Sequence, residues 1–187
     1  MCHSLTLVEG LTDRELLARL GCDPASTRRP ADSDEVQDAR QEAWEHYDEH
    51  GLETAVVQAG VANGWAWAFE PESVLVFGSE RLAPASRGTR LIHCCHNGNA
   101  LGYVALWEDG RLITTFEHGV PEARHDEDGE DPDRLLEPMR RVGFLDPDNH
   151  QLPQHTSLAL LHAPTGVTLD SDQIDAGLLA TLSAARG

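Results

Sequence analysis

Residues 88–119, GTRLIHCCHNGNALGYVALWEDGRLITTFEHG, decide the fold. Three apolar-rich runs are separated by Asn97-Gly98-Asn99 and by Asp109-Gly110. Asp-Gly favours positive φ at both positions of a two-residue hairpin loop, so the segment reads as three consecutive antiparallel strands. With Asp109-Gly110 as the loop, Glu108 opposes Arg111. The same register sets Tyr103 opposite Phe116, Ala105 opposite Thr114 and Trp107 opposite Leu112, on one core-like face. A two-residue loop at 97–98 or 98–99 adds Arg90, Ile92 and Cys94 to that face. His93 and Cys95 are then expected on the opposite, outer face, because side chains alternate along a strand.

Working outward, residues 4–9 alternate as a strand does, and Thr12 with Glu15 forms a capping box that opens a helix over 13–20, stopped by Gly21. The apolar positions Val36, Ala39, Ala43, Trp44 and Tyr47 recur at helical spacing and predict a second helix over 34–50. Its other face belongs to a stretch with nine carboxylates between Asp32 and Glu53, the pattern of a solvated side. Strands are predicted at 54–59 and 64–70, joined at Asn63-Gly64, with a short helix from Ser79 limited by Pro84. The run Val74 to Phe77 suits either a strand or the lead into that helix. Past Gly119, an acidic loop leads to a helix beginning at Asp131-Pro132, a second helix at 156–163 and a last one from Asp170 or Ser171 through Ala185. The expectation is a single α+β domain over residues 1–187. It comprises an antiparallel sheet of about six strands, helices packed on one face and a helical C-terminal third.

Fourteen Lys and Arg against 32 Asp and Glu leave a formal net charge of −18. Such a field repels DNA, RNA and anionic lipid and speeds encounter with a basic protein. A host proteome that is acidic throughout accounts for the same charge. The cysteines, Cys2, Cys22, Cys94 and Cys95, suggest no disulfide framework, and the first apolar run is far too short for a signal core or a membrane span. A cytoplasmic location is therefore expected.

His93-Cys94-Cys95-His96 is the densest cluster of metal-binding and nucleophilic side chains. On a strand, only His93 with Cys95, or Cys94 with His96, can share a metal, and either pair needs two further ligands, for which His118 and Cys2-His3 are candidates. Cys95 beside His93 or His96 also meets the logic of a nucleophile and its base, but a mid-strand thiol lacks the helix terminus or strained turn that lowers its pKa. Packing is the preferred reading of this cluster. His93, Cys95 and His118 stand as the candidates for a chemical centre, with no cofactor implied. Asp126, Asp128, Glu130 and Glu137 match calcium-loop positions 1, 3, 5 and 12, but Asp131 replaces the required glycine, so the match is read as accidental. Trp44 and Trp107 occupy core-compatible positions, and Trp65 and Trp67 share one strand face as packing residues. Phosphate loops, serine elbows and zinc-helix motifs are absent from the sequence.

The run Leu5 to Thr12 before a Glu-Leu-Leu helix, Gly64-Trp65-Ala66-Trp67-Ala68-Phe69-Glu70, Ser86-Arg87-Gly88-Thr89, Asp109-Gly110-Arg111 with Phe116-Glu117, and Thr165-Gly166-Val167 occur in one order along the chain. Together they resemble an actinobacterial family of uncharacterised proteins, known as a domain of unknown function. The chain departs from that pattern at residues 71–77 and in carrying a Cys-Cys pair, which weighs against catalysis by Cys94 and Cys95 as a family property. The resemblance implies no activity. A small, acidic α+β layout is similar, by analogy, to that of immunity proteins that neutralise a partner toxin.

The reading that follows is a non-enzymatic, acidic protein-binding module, an immunity protein or inhibitor for a basic partner. The alternative is a small-molecule- or metal-binding protein or enzyme using the sheet face around His93 and Cys95. Homodimerisation through an exposed sheet face or edge is compatible with both.

Overall fold

Helix α1 (Asp13–Leu20) forms where its capping box lies: Thr12 Oγ1 accepts from the Glu15 amide, and the Glu15 carboxylate accepts from the Thr12 amide at 2.9 Å. Gly21 ends the helix in the left-handed region at φ 84°, and Leu16, Leu17 and Leu20 are buried. The computed structural model describes residues 3–45, 47–48, 51–52, 54–71, 76, 78–97, 101–123, 129–146, 148–149 and 151–183. The remaining helices are α2 (Ser33–Glu45), α3 (Ser79–Ala85), α4 (Leu136–Arg141), α5 (Pro153–Thr165) and α6 (Ser171–Asp175). The strands are β1 (His3–Glu9), β2 (Tyr47–Asp48), β3 (Gly51–Leu52), β4 (Thr54–Ala62), β5 (Trp65–Pro71), β6 (Arg90–His96), β7 (Gly102–Glu108), β8 (Arg111–Glu117) and β9 (Leu178–Ser183).

Seven strands form one antiparallel sheet in the order β8-β7-β6-β1-β5-β4-β9, and β2 pairs with β3 separately. The α+β class and the antiparallel sheet stand as expected, but the sheet has seven strands rather than about six. Helices also cover both of its faces. On one face Val8, Ala59, Ala66, Ala68, Leu91, Ala105 and Trp107 pack with Leu16, Leu17 and Leu20 of α1 and Leu82 of α3. On the other, Leu5, Leu7, Trp65, Trp67, Ile92, Cys94, Val104 and Phe116 pack with Met139 of α4 and Leu160 and Leu161 of α5. Helix α2 covers the β4–β9 end of this second face through Val36 against Val56 and Leu179. The two are called below the α1 face and the α5 face. Strands apolar on both sides must be buried on both sides, which is why one layer of helices does not suffice.

The chain end departs most from expectation. Asp170 does cap a helix, with the Gln173 amide donating to its carboxylate at 2.8 Å, but α6 stops at Asp175 and β9 follows. Residues 178–183, LLATLS, are a short apolar run that periodicity cannot assign; pairing with β4 buries it on both sides. The predicted helix over 34–50 likewise ends at Glu45 and gives way to β2 and β3. The 74–77 run lies outside the described residues except for the buried Val76.

Both tight turns form as predicted, with positive φ at Asn63 (50°) and Gly64 (78°) and at Asp109 (51°) and Gly110 (78°). The outer strands are capped. The Glu130 and Asp131 amides donate to the Leu112 and Ile113 carbonyls on β8, and Arg28 exchanges two backbone hydrogen bonds with Leu179 on β9. Sheet edges occupied in this way are blunted as templates for another strand. Both faces of the described sheet carry packed helices.

Candidate functional site

The register around the His-Cys-Cys-His cluster differs from the one the turns suggest. The β7–β8 pairing begins as expected, with Trp107 opposite Leu112. A bulge between Leu106 and Trp107 then moves Tyr103 opposite Glu117 and Ala105 opposite Thr115. Between β6 and β7 the loop has five residues, 97–101, so His96 pairs with Gly102, Cys95 with Tyr103 and His93 with Ala105. An odd loop in place of an even one inverts the parity of the whole strand. His93 and Cys95 therefore share the face of Tyr103 and Trp107, while Cys94 and Ile92 lie with Val104 and Phe116.

Neither face is a surface. His93 is fully buried, with Nδ1 2.9 Å from Thr6 Oγ1 on the neighbouring strand. Burial pushes its pKa down to about 3, which keeps the imidazole neutral. Cys95 is also buried, beside Ser4 in the β1–β6 register, and the Ser4 hydroxyl donates to Glu70 Oε2 at 2.9 Å. Glu70, fully buried, also accepts from the Val76 amide at 3.0 Å. Ser4, Thr6, Glu70, His93 and Cys95 thus form a polar band inside the α1 face, in which side-chain hydrogen bonds join β1 to β5 and to β6 and Glu70 also holds the Val76 amide. A band of this kind ties strands together; its side chains do not open to solvent.

His118 lies on the other side of the sheet. It belongs to a row on the α5 face, with His96 ring to ring at 5.5 Å and His3 stacked on His96 at 5.8 Å. Gly102 makes this row geometrically feasible, since a Cβ there would overlap the His118 ring. Of the sequence candidates, the fold thus brings His3, His96 and His118 together and separates them from His93 and Cys95. Among the described residues, no group of three or more His, Cys, Asp or Glu side chains is placed to hold a metal ion. The thiols are poorly suited to nucleophilic attack. Burial pushes Cys94 up to about 12, with Cys95 adding to the rise, and burial likewise raises Cys22 to about 12. Asp126 and Asp128 of the calcium-like window lie outside the described residues, and Glu130 pairs with Arg111 at 3.0 Å.

The Family of unknown function (DUF6461) matches residues 1–177. The chain belongs to DUF6461. No curated protein and no solved structure matches it. As a DUF6461 member it carries no activity over from its family, and its site is read from its own surface.

That surface has a distinctive element in α2. Val36, Ala39 and Ala43 face the sheet, and Asp34, Asp38 and Glu45 form an exposed stripe on the opposite side. Trp44, expected in the core, is instead 43% exposed on the flank of that stripe. Trp107 is buried as expected, and so are Trp65 and Trp67. Spacing alone suggests that Trp44 is buried; its polar neighbours one turn back, Arg40 and Gln41, are the sign of the opposite. No described helix is long and apolar enough to cross a membrane.

Proposed function

We propose that the chain is a non-enzymatic binding protein that engages a basic protein partner through the outward face of α2, as an immunity protein or inhibitor would. The observation that carries this reading is the exposed Trp44 on the same helix as the outward-facing stripe of Asp34, Asp38 and Glu45, a helix whose inner side packs on the sheet through a small apolar cluster. An exposed large aromatic is a usual anchor of a protein interface, and a carboxylate stripe on the same helix selects a basic counterpart and accelerates encounter. The net charge of −18 acts in the same direction. The neutral His93 and the buried, high-pKa Cys94 support a site that binds and does not catalyse.

The test is affinity purification from the native host with the wild-type chain and with the Trp44→Ala and Asp38→Lys variants in parallel. A basic protein retained by the wild type, released by salt and lost with both variants is the expected result. Retention of the same protein by all three chains, or of no basic protein at all, overturns the assignment.

A further inference from the structure

The α5 face carries a groove of about 520 Å³ that the α2 surface does not involve. Its floor is Leu5, Leu7 and Phe69 of the sheet, and its wall is α5 with the segment 167–174. We infer that this groove binds an uncharged, largely apolar small molecule whose polar head donates a hydrogen bond to His162.

Three observations carry the inference. The volume lies within the range of small-molecule sites, about 300–1,000 Å³. The lining is apolar apart from His3, His162 and Thr168, and it includes no Asp, Glu, Lys or Arg. In a chain of net charge −18, an anion entering this groove meets a repulsive field and no cationic side chain. A cation meets no carboxylate and loses its hydration against hydrocarbon. A neutral occupant avoids both costs.

The geometry of His162 specifies the head. Its Nδ1 is 3.1 Å from the Val167 carbonyl, which can only accept, so Nδ1 carries the proton; Thr168 Oγ1 lies 3.2 Å from the same nitrogen. In the neutral ring Nε2 is then an acceptor, and the ligand brings the O–H or N–H. The walls also favour a small molecule over a protein face. Leu5, Leu7, Leu161 and Val167 are buried below the rim, and Leu158 is the one groove residue among the large apolar side chains that are exposed in the described residues. A small molecule can enter such a slot, whereas a flat partner would reach only the rim residues Leu158, His162 and Thr168. The inference is independent of the α2 surface, which lies outside the lining.

The probe is N-phenyl-1-naphthylamine, an uncharged aromatic amine with one N–H, titrated by fluorescence into the full chain. Saturable binding at one probe per chain is expected, with 1-decanol displacing it at a concentration at least tenfold below that of decanoate. Ala159→Trp and Thr168→Trp should each weaken binding at least tenfold with unchanged circular dichroism and Tm. Thr168 is exposed, so its variant decides the matter if the other misfolds. His162→Phe should weaken 1-decanol competition at least threefold. Non-saturable fluorescence, or wild-type affinity in the folded Trp variants, overturns the site. Decanoate competing as well as decanol overturns the neutral occupant, and an unchanged His162→Phe overturns the head assignment.

Discussion

Thr6 and His93 join adjacent strands through a hydrogen bond of 2.9 Å between Oγ1 and Nδ1, and neither side chain reaches solvent. The imidazole is held neutral there, its pKa pushed down to about 3 by burial. A histidine depressed in the fold binds its proton in the unfolded chain first. Its contribution to stability is therefore complete above about pH 6.5 and is lost progressively as pH falls toward 3. Across that window the loss amounts to about 1.4 kcal/mol per pH unit. Urea unfolding of the wild type and of His93→Phe from pH 7 to pH 4.5 should give a steeper pH dependence in the wild type, by about one proton. Parallel curves would contradict a neutral buried His93.

The thiols should be inert while the chain is folded. Cys22 and Cys94 are buried with their pKa raised to about 12, and Cys95 is buried next to Cys94 in β6. Iodoacetamide at pH 7.5 reacts with accessible thiolates; Cys22 and Cys94 do not form them at that pH, and Cys95 is out of reach of solvent. Peptide mapping should find Cys22, Cys94 and Cys95 unmodified in buffer and modified in urea. Rapid alkylation of Cys95 in buffer would restore it as a nucleophile.

Gly60 leaves room for a tryptophan. A Cβ at Gly60 would stand 2.5 Å from Cζ2 of Trp67, whose ring lies across it from the paired strand. Gly60→Ala should destabilise the fold by about 1–3 kcal/mol through overpacking and shift the tryptophan emission. A denaturation midpoint equal to that of the wild type would show that the Trp67 ring has another seat.

Two tryptophans should behave in opposite ways. Trp44→Ala removes a half-exposed ring and should change stability by no more than about 0.5 kcal/mol, while Trp67→Ala in the core should cost about 3–5 kcal/mol. Binding of the partner should show the reverse order, with Trp44→Ala the damaging change. Equal stability losses would place Trp44 in the core after all.

The Thr12 cap should be separable from the rest of the fold. Thr12→Ala removes the acceptor of the Glu15 amide and should lower stability by about 1 kcal/mol, as read from the urea midpoint. The Glu15 carboxyl, held below its usual range first by its hydrogen bond to the Thr12 amide and then by that to the Thr12 hydroxyl, should titrate closer to normal in the variant. An unchanged Glu15 titration in NMR would mean that the hydroxyl adds nothing to the cap.

The sequence was legible wherever a signal is local. The α1 capping box, the Asn63-Gly64 and Asp109-Gly110 turns and the Asp170 cap all depend on residues within a few positions of one another. It was less legible for His93 and Cys95, whose face depends on the length of the 97–101 loop and on a bulge at Leu106 and Trp107. One residue more or less in either place reverses every side chain beyond it. The groove had no sequence signature, because Leu5, Phe69, Leu158 and Leu169 meet only after the sheet and α5 have packed.

Composition, turn chemistry and period determined an acidic α+β chain with an antiparallel sheet and a nucleated first helix. Only the tertiary structure decided that helices cover both sheet faces, that LLATLS becomes a strand beside β4, and that His118 stands apart from His93 and Cys95. The reason is physical. Caps and turns are stabilised by bonds between near neighbours, whereas parity, coverage and the identity of an ambiguous apolar run are set by the partner strand or helix that buries them.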